Sequence, residues 1–401
     1  MLPVSVARLT AVALCVVSSS PVHAGELDLA GAVARARQLA PDAVAARGKL
    51  AIAEAGARGA AVTFVDNPEL EGGGGPRLTS ARPIDFEVRI EQNLEPWRRS
   101  PRRALARASV AQTRAELDAA LRELDLEVAT AFYDALHAER TSELAHHTEE
   151  LAARASEVAA RRRKAGDITD LDLGLARGAL GRARSTTLAS TATRAQAIGR
   201  LAALIGAPTS EPITLRGELK PPPIDPNVLR GSPATLRVIE AERAVATAER
   251  DQAIANGRLQ LALWAGYRRE DADSIVAAGL RFTLPVWNRA QGERAAATAR
   301  QHRATALHEV AIRGADRRLA DASAAYAAAR AALEAFEREV VPVLDDTELL
   351  LQKTMDAGQL AVSAYLLARQ ELLEGRREHL ERLVSYAKAD AAVRFAAGGA
   401  P

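Results

Sequence analysis

Residues 84–94 read IDFEVRIEQNL. In an extended chain Ile84, Phe86, Val88, Ile90 and Leu94 share one face, and Asp85, Glu87, Arg89, Glu91 and Asn93 share the other. Strict alternation over this length is the period of a strand, not of a helix. The pattern returns in RLQLALWAGYR, where Leu259, Leu261, Leu263, Ala265 and Tyr267 alternate. After an expected turn at Arg268–Ser274 it returns again at Val276, Ala278, Leu280, Phe282 and Leu284. A weaker fourth strand is expected around Pro68–Gly74 (PELEGGG), glycine-rich and with little apolar face. Roughly 9–11 residues is the length of a tilted membrane strand. One apolar and one polar face suits lipid outside and water inside. A half-buried hairpin on a soluble domain would give the same alternation.

The hairpins interrupt long helices. A first helix is expected from Leu29 to Val62, opened by Asp28 as cap and interrupted at Pro41-Asp42. From Ser100 to Lys164 no Gly or Pro follows Pro101, and Leu117, Leu121, Leu124, Val128, Phe132 and Leu136 recur three or four apart. That is a narrow coiled-coil seam. A helix of that span reaches on the order of 100 Å. A second long helix starts near Gln291, with a seam of Tyr326, Leu333, Phe336 and Val340, and Pro342 kinks or breaks it. Gly166 and Gly358 are expected to close the two rods as C-cap glycines, and Gly257 to stop the helix that starts near Pro233. Returning helices should occupy about 168–205 and 360–395.

The chain is written twice. Pro41 matches Pro233, Trp97 matches Trp287, and Ala165-Gly166 matches Ala357-Gly358, at offsets of 192, 190 and 192 residues. Three landmarks in register argue for internal duplication. The organisation is then a signal at 1–24, a first repeat at 25–219, a Pro-rich linker at 220–226 and a second repeat at 227–401.

Composition agrees with thin rods. Lys and Arg total 53, Asp and Glu 51, and aromatic residues are 3% of the chain. The net charge of +2 offers no field that would attract nucleic acid. Arg8, the apolar run Leu9–Val17 and Val22-His23-Ala24 before Gly25 read as an export signal cleaved after Ala24; a buried N-terminal helix is the alternative. The sole cysteine, Cys15, lies in that stretch. It follows Leu14 and not a small residue, which argues against lipid attachment. No later apolar run approaches the length of a membrane helix, so a membrane-crossing mature chain would have to use a closed β-barrel.

These features resemble the outer membrane efflux protein family, TolC-like. The residues that carry the resemblance are NPEL at Asn67–Leu70, the corner QNLEPWRRSPRRALARA with its repeat LPVWNRAQGERAAA, and the turn AGDITDLDLGLARGAL with its repeat AGQLAVSAYLLARQELL. Leu204-Ile205-Gly206 and VVPVLDDTELLLQ belong with them. No single motif is specific; their order and duplication are. The resemblance implies a mainly α fold with membrane β. Long antiparallel coiled-coil helices would form an α-barrel, and four strands per chain would join a trimeric 12-stranded β-barrel. It implies a homotrimer in the outer membrane of a Gram-negative cell, in contact with outer-membrane lipid. The helices would stand in the periplasm, with a periplasmic adaptor protein and an inner-membrane pump as partners. Four strands alone cannot close a membrane barrel, which needs at least about eight.

The function implied is a passive exit duct of a tripartite efflux system, and not an enzyme. The texture is most similar to the heavy-metal cation efflux (CzcC-like) branch. A type I secretion duct and a soluble periplasmic coiled-coil adaptor are the rival readings. The periplasmic tip falls at Gly166 and Gly358, where an adaptor would dock. Asp170, Asp172 and Asp167 are the candidate pore gate, since symmetry would gather their copies into a ring that constricts and cation-biases a pore. The alternative is that Asp167 and Asp170 cap the next helix. The second turn departs from the acidic family pattern with Gln359, Ser363 and Tyr365. Glu71–Gly75 lacks the Gly-Lys-Ser/Thr of a phosphate loop. His146-His147 beside Glu149-Glu150 is not HExxH, and adjacent histidines lie on different helix faces. Nothing in the sequence calls for a cofactor, a metal centre or a catalytic triad.

Overall fold

The computed structural model describes residues 26–76, 84–208, 212–224, 233–271, 273–356 and 360–399. The expected export signal and Gly358 lie outside them. The chain opens with α1 (Leu29–Leu39) and α2 (Pro41–Ala60). Asp28 caps α1 by accepting the Gly31 N–H at 2.8 Å, and Pro41 starts α2, where its missing N–H costs nothing. Then follow β1 (Glu69–Pro76), β2 (Ile84–Leu94), α3 (Arg99–Ala165) and α4 (Asp170–Leu204). The second half repeats the order with α5 (Ala234–Asn256), β3 (Gln260–Glu270), β4 (Asp273–Thr283), α6 (Gln291–Glu339), α7 (Val341–Asp356) and α8 (Val362–Ala396). The break between α6 and α7 falls at Val340, two residues before Pro342.

With 67 residues, α3 is a rod of about 100 Å. Its predicted seam is the core. Leu124, Val128, Phe132 and Leu136 are buried against Ala32 and Ala36 of α1 and Leu201 and Ile205 at the end of α4. Most other buried residues are alanines, which let helix axes approach closely without a thick core. In the second rod Leu333 and Phe336 are buried. Further along, Ala155, Leu351, Tyr365 and Leu372 form a separate cluster.

All four strands form one antiparallel sheet in the order β1-β2-β3-β4. Two sequence expectations need correction. The expected turn Arg268–Ser274 is mostly strand: Arg268 pairs with Ile275, Arg269 with Ser274 and Glu270 with Asp273. The ladder extends because these polar residues find cross-strand partners, and the direction reverses at Asp271, whose φ is 54°. Gly257 does follow α5, but with φ −78° it is not a left-handed cap. A Cβ there would lie 2.3 Å from the Arg289 carbonyl oxygen, so close backbone approach is what requires glycine.

Asp125 on α3 has 0% exposure and accepts two bonds from Arg37 of α1, the Nε bond at 2.7 Å. Removing the guanidinium leaves a buried carboxylate without its partner. Arg37→Ala should therefore destabilise the chain by about 2–3 kcal/mol, at the lower end for such pairs because Arg37 is itself partly solvated. Urea unfolding of the purified protein in detergent should show the midpoint falling accordingly.

Candidate functional site

The sheet is built inside out relative to a soluble protein. Leu70, Ile84, Val276, Leu280 and Phe282 are all more than half exposed, on the apolar face. The opposite face carries the charge, and there Glu91 is buried. Arg268 pairs with Glu87 at 3.0 Å, Arg89 with Glu91 at 3.7 Å, and Arg281 with Glu91. The Arg89 guanidinium lies 4.3 Å over the Trp264 ring, a cation–π stack on the polar face. Beside it the glycines of β1 leave room: a cavity of ≈ 510 Å³ opens between Glu71, Gly73, Asp85, Glu87 and Arg268. No helix among the described residues covers the apolar side. The soluble half-buried hairpin, which would cover it, does not describe this sheet.

Each hairpin meets a helix at a corner. In the first, the Trp97 indole N–H donates to the Leu259 carbonyl at 2.9 Å. Arg98 donates to the carbonyl of Asn256, the last residue of α5, at 2.9 Å. Arg102 reaches the Ala60 and Val62 carbonyls at 3.2 and 2.9 Å, and Arg103 that of Ala61. These guanidinium groups satisfy the free carbonyls at the C-terminal ends of α2 and α5, where the helix dipole favours a cation. The basic run RRSPRR thus fastens two helices to the start of α3. Sequence reasoning found the corner but not this task.

At the far end of α3, Gly166 has φ 87° and closes the helix; its N–H donates to Arg163, and that of Asp167 to Arg162. The cap of α4 is Thr169. Its hydroxyl accepts the Asp172 N–H at 3.1 Å, and the Asp172 carboxylate accepts the Thr169 N–H at 3.1 Å, a capping box. Neither Asp167 nor Asp170 supplies the side-chain cap, which corrects the capping alternative. Asp170 takes two bonds from Arg163, at 2.6 and 2.8 Å, while remaining largely exposed. Asp167 is exposed. The three acids thus share one turn, and Asp170 and Asp172 have different partners. The Thr169–Asp172 spacing was the signal that could have found the box.

The second turn is tied to the first by Arg162, which donates to the Leu360 carbonyl at 3.4 Å. Across it α7 and α8 are joined by Arg369–Glu348 and Arg376–Glu348, both 3.0 Å, and Arg376–Asp345 at 2.5 Å. Gln359 lies outside the described residues, and Tyr365 is buried rather than presented at the turn. His146 and His147 are exposed on α3, and among the described residues no group of His, Cys, Asp and Glu could hold a metal. No described helix is long and apolar enough to cross a membrane.

An outward apolar sheet with a charged inner face, carried on helical hairpins of this length, has the fold of an outer-membrane channel subunit. The family recognised in the sequence is also the one found by comparison: residues 32–207 match the outer membrane efflux protein family, OEP. No curated protein matches the chain. Among solved structures, the CusC channel is 19% identical with a TM-score of 0.74 over 92% of each chain. The Vibrio cholerae outer membrane protein VceC is 20% identical with a TM-score of 0.73, covering 92% of this chain and 96% of that one. The open-state MtrE channel of Neisseria gonorrhoeae is 18% identical with a TM-score of 0.73, covering 93% and 89%. At such identities the likeness is one of fold.

Arg163 holds the Asp170 carboxyl below the ordinary aspartate value of 3.8, and the Thr169 hydroxyl and N–H do the same for Asp172. Both groups bind a proton less readily folded than unfolded. Their contribution is therefore complete above about pH 4 and lost as pH falls through the depressed folded values. Amide exchange around 166–173 should stay constant from pH 7 to about 4, once corrected for intrinsic rates, and accelerate below that. Acceleration already at neutral pH would contradict this account of the turn.

Proposed function

We propose that this chain is the outer-membrane exit duct of a tripartite efflux system. Three copies would join their sheets into a 12-stranded barrel, and their helices would form a tunnel in the periplasm. An inner-membrane pump would supply the energy and a periplasmic adaptor would dock at the tip around Gly166 and Gly358, so the chain itself needs no catalytic machinery. The observation that carries this reading is the sheet. Its apolar side is uncovered, its opposite side carries paired charges with Glu91 buried among them, and both β1 and β4 have an unpaired edge. Lipid tolerates such a sheet only when the edges are closed by further strands. A soluble adaptor would have no use for the outward apolar face.

Cations are the favoured cargo. By the strand register, Glu69, Glu71, Asp85, Glu87, Glu91, Glu270 and Asp273 share the inner face with only Arg89, Arg268 and Arg281. An acidic lining concentrates cations. Heavy-metal cations fit this lining and the sequence texture. Asp170, with Asp167 and Asp172 around it, is the proposed gate at the other end.

The full chain expressed in a Gram-negative host should be recovered from outer-membrane fractions as a heat-dissociable trimer, and in planar bilayers it should pass cations in preference to anions. Recovery in the soluble periplasm would end the proposal. Asp170→Ala should raise conductance and weaken cation preference; unchanged values for both would remove that residue from the gate.

A further inference from the structure

Within the chain, the first corner displays how neighbouring strands are locked. β2 runs beside β3 with Leu94 opposite Leu261 and Phe86 opposite Arg269. Where the chain leaves β2, the Trp97 indole closes on the Leu259 carbonyl at the entry to β3. The duplication repeats these parts. Trp287 follows Trp97 by 190 residues, and Gln260, which opens β3, follows Glu69, which opens β1, by 191. β4 is thus the counterpart of β2, and β1 the counterpart of β3. Yet β1 and β4 lie at opposite edges of the sheet, and Trp287 is 88% exposed. The strand entry that Trp287 would lock is not beside it in its own chain.

We propose that a second copy supplies it: β4 of one protomer pairs antiparallel with β1 of the next, with Leu284 opposite Leu70, Phe282 opposite Gly72 and Leu280 opposite Gly74. The Trp287 indole then closes on the next copy's Pro68 carbonyl, the counterpart of Leu259. This rests on the trimeric reading above and adds its register and its lock.

Three observations support the register. It keeps the faces of the two strands in agreement. Leu70, Gly72 and Gly74 pair with Ile90, Val88 and Phe86 of β2 and so share their apolar face, as do Leu280 and Phe282 on β4. A one-residue slip would turn that face into the lumen. It also accounts for the glycine run. Inside the chain Gly72 and Gly74 lie opposite Val88 and Phe86, and the proposed pairing places Phe282 and Leu280 on their other side. Each bare backbone is then flanked by two bulky side chains, the arrangement by which aromatic neighbours compensate glycine in a sheet. Finally, the connector before β1 offers Val62, Phe64 and Val65, each about half exposed, where Trp287 would arrive.

Cysteine pairs test this in the full chain carrying Cys15→Ser. Phe282→Cys with Gly72→Cys, and Leu284→Cys with Leu70→Cys, should each give covalent dimers and trimers on oxidation of outer membranes. The second pair leaves the glycines intact. The shifted pairs, Phe282→Cys with Leu70→Cys and Leu284→Cys with Gly72→Cys, should give few or none. Linkage by the shifted pairs and not by the in-register pairs overturns the register. No linkage by any pair while non-covalent trimers persist also overturns it, and leaves the channel reading standing. No linkage and no trimers removes both. Trp287→Ala should lower the temperature at which trimers dissociate in detergent without changing helix content, and Trp287→Phe, which keeps an aromatic ring but loses the N–H and part of the ring area, should fall between. Unchanged dissociation of Trp287→Ala overturns the lock.

Discussion

An edge strand carries a row of backbone N–H and C=O groups that need partners. In water solvent satisfies them, but beside an exposed apolar face they form a surface that no isolated chain stabilises well. The sheet of this protein has both properties at once. β1 and β4 are edges, and the face between them presents Leu, Ile, Val and Phe side chains outward. The rest of the molecule is arranged around that constraint. Most charged residues of the sheet lie on the inner face, where Arg268 pairs with Glu87 on the neighbouring strand, Arg281 reaches Glu91, and Arg89 pairs with Glu91 along β2. Among the described residues no helix covers the apolar side of the sheet.

The helical part solves a different problem with small side chains. A rod of this length cannot bury a thick core, and alanine supplies most of the buried positions. Large residues are concentrated where α1, α3, α4 and α8 meet, around Phe132 and Leu136. There the buried Asp125–Arg37 pair fixes α1 against α3. Helix ends that gather near the two ends of α3 are closed by specific groups: arginines on the carbonyls of α2 and α5 at one end, Gly166 and the Thr169 box at the other.

Period was the most legible feature of the sequence. Alternation located β2, and a seam three and four apart located α3, because both depend on side-chain spacing alone. Elements governed by pairing were less legible. The ends of β3 and β4 carry charged residues that look like a turn until Arg268 is placed beside Glu87 and opposite Ile275. The glycine-rich β1 has almost no apolar signal and exists because β2 lies beside it. At the tip the acidic residues were visible, but their division of labour was not. It depends on Arg163 returning to Asp170 and on the hydroxyl of Thr169.

The two repeats also differ mechanically. An unbroken helix passes torsion from one end to the other, because every turn is bonded to the next. α3 is such a shaft. Its counterpart has a joint at Val340, beyond which α7 is held to α8 by the guanidinium groups of Arg369 and Arg376 and by Leu344 and Leu351 packed with Tyr365 and Leu372. Bending load applied at the tip would concentrate at that joint in the second hairpin and spread along the whole length of the first. One half of the subunit is therefore a strut and the other a flexure, although the same order of elements recurs in both.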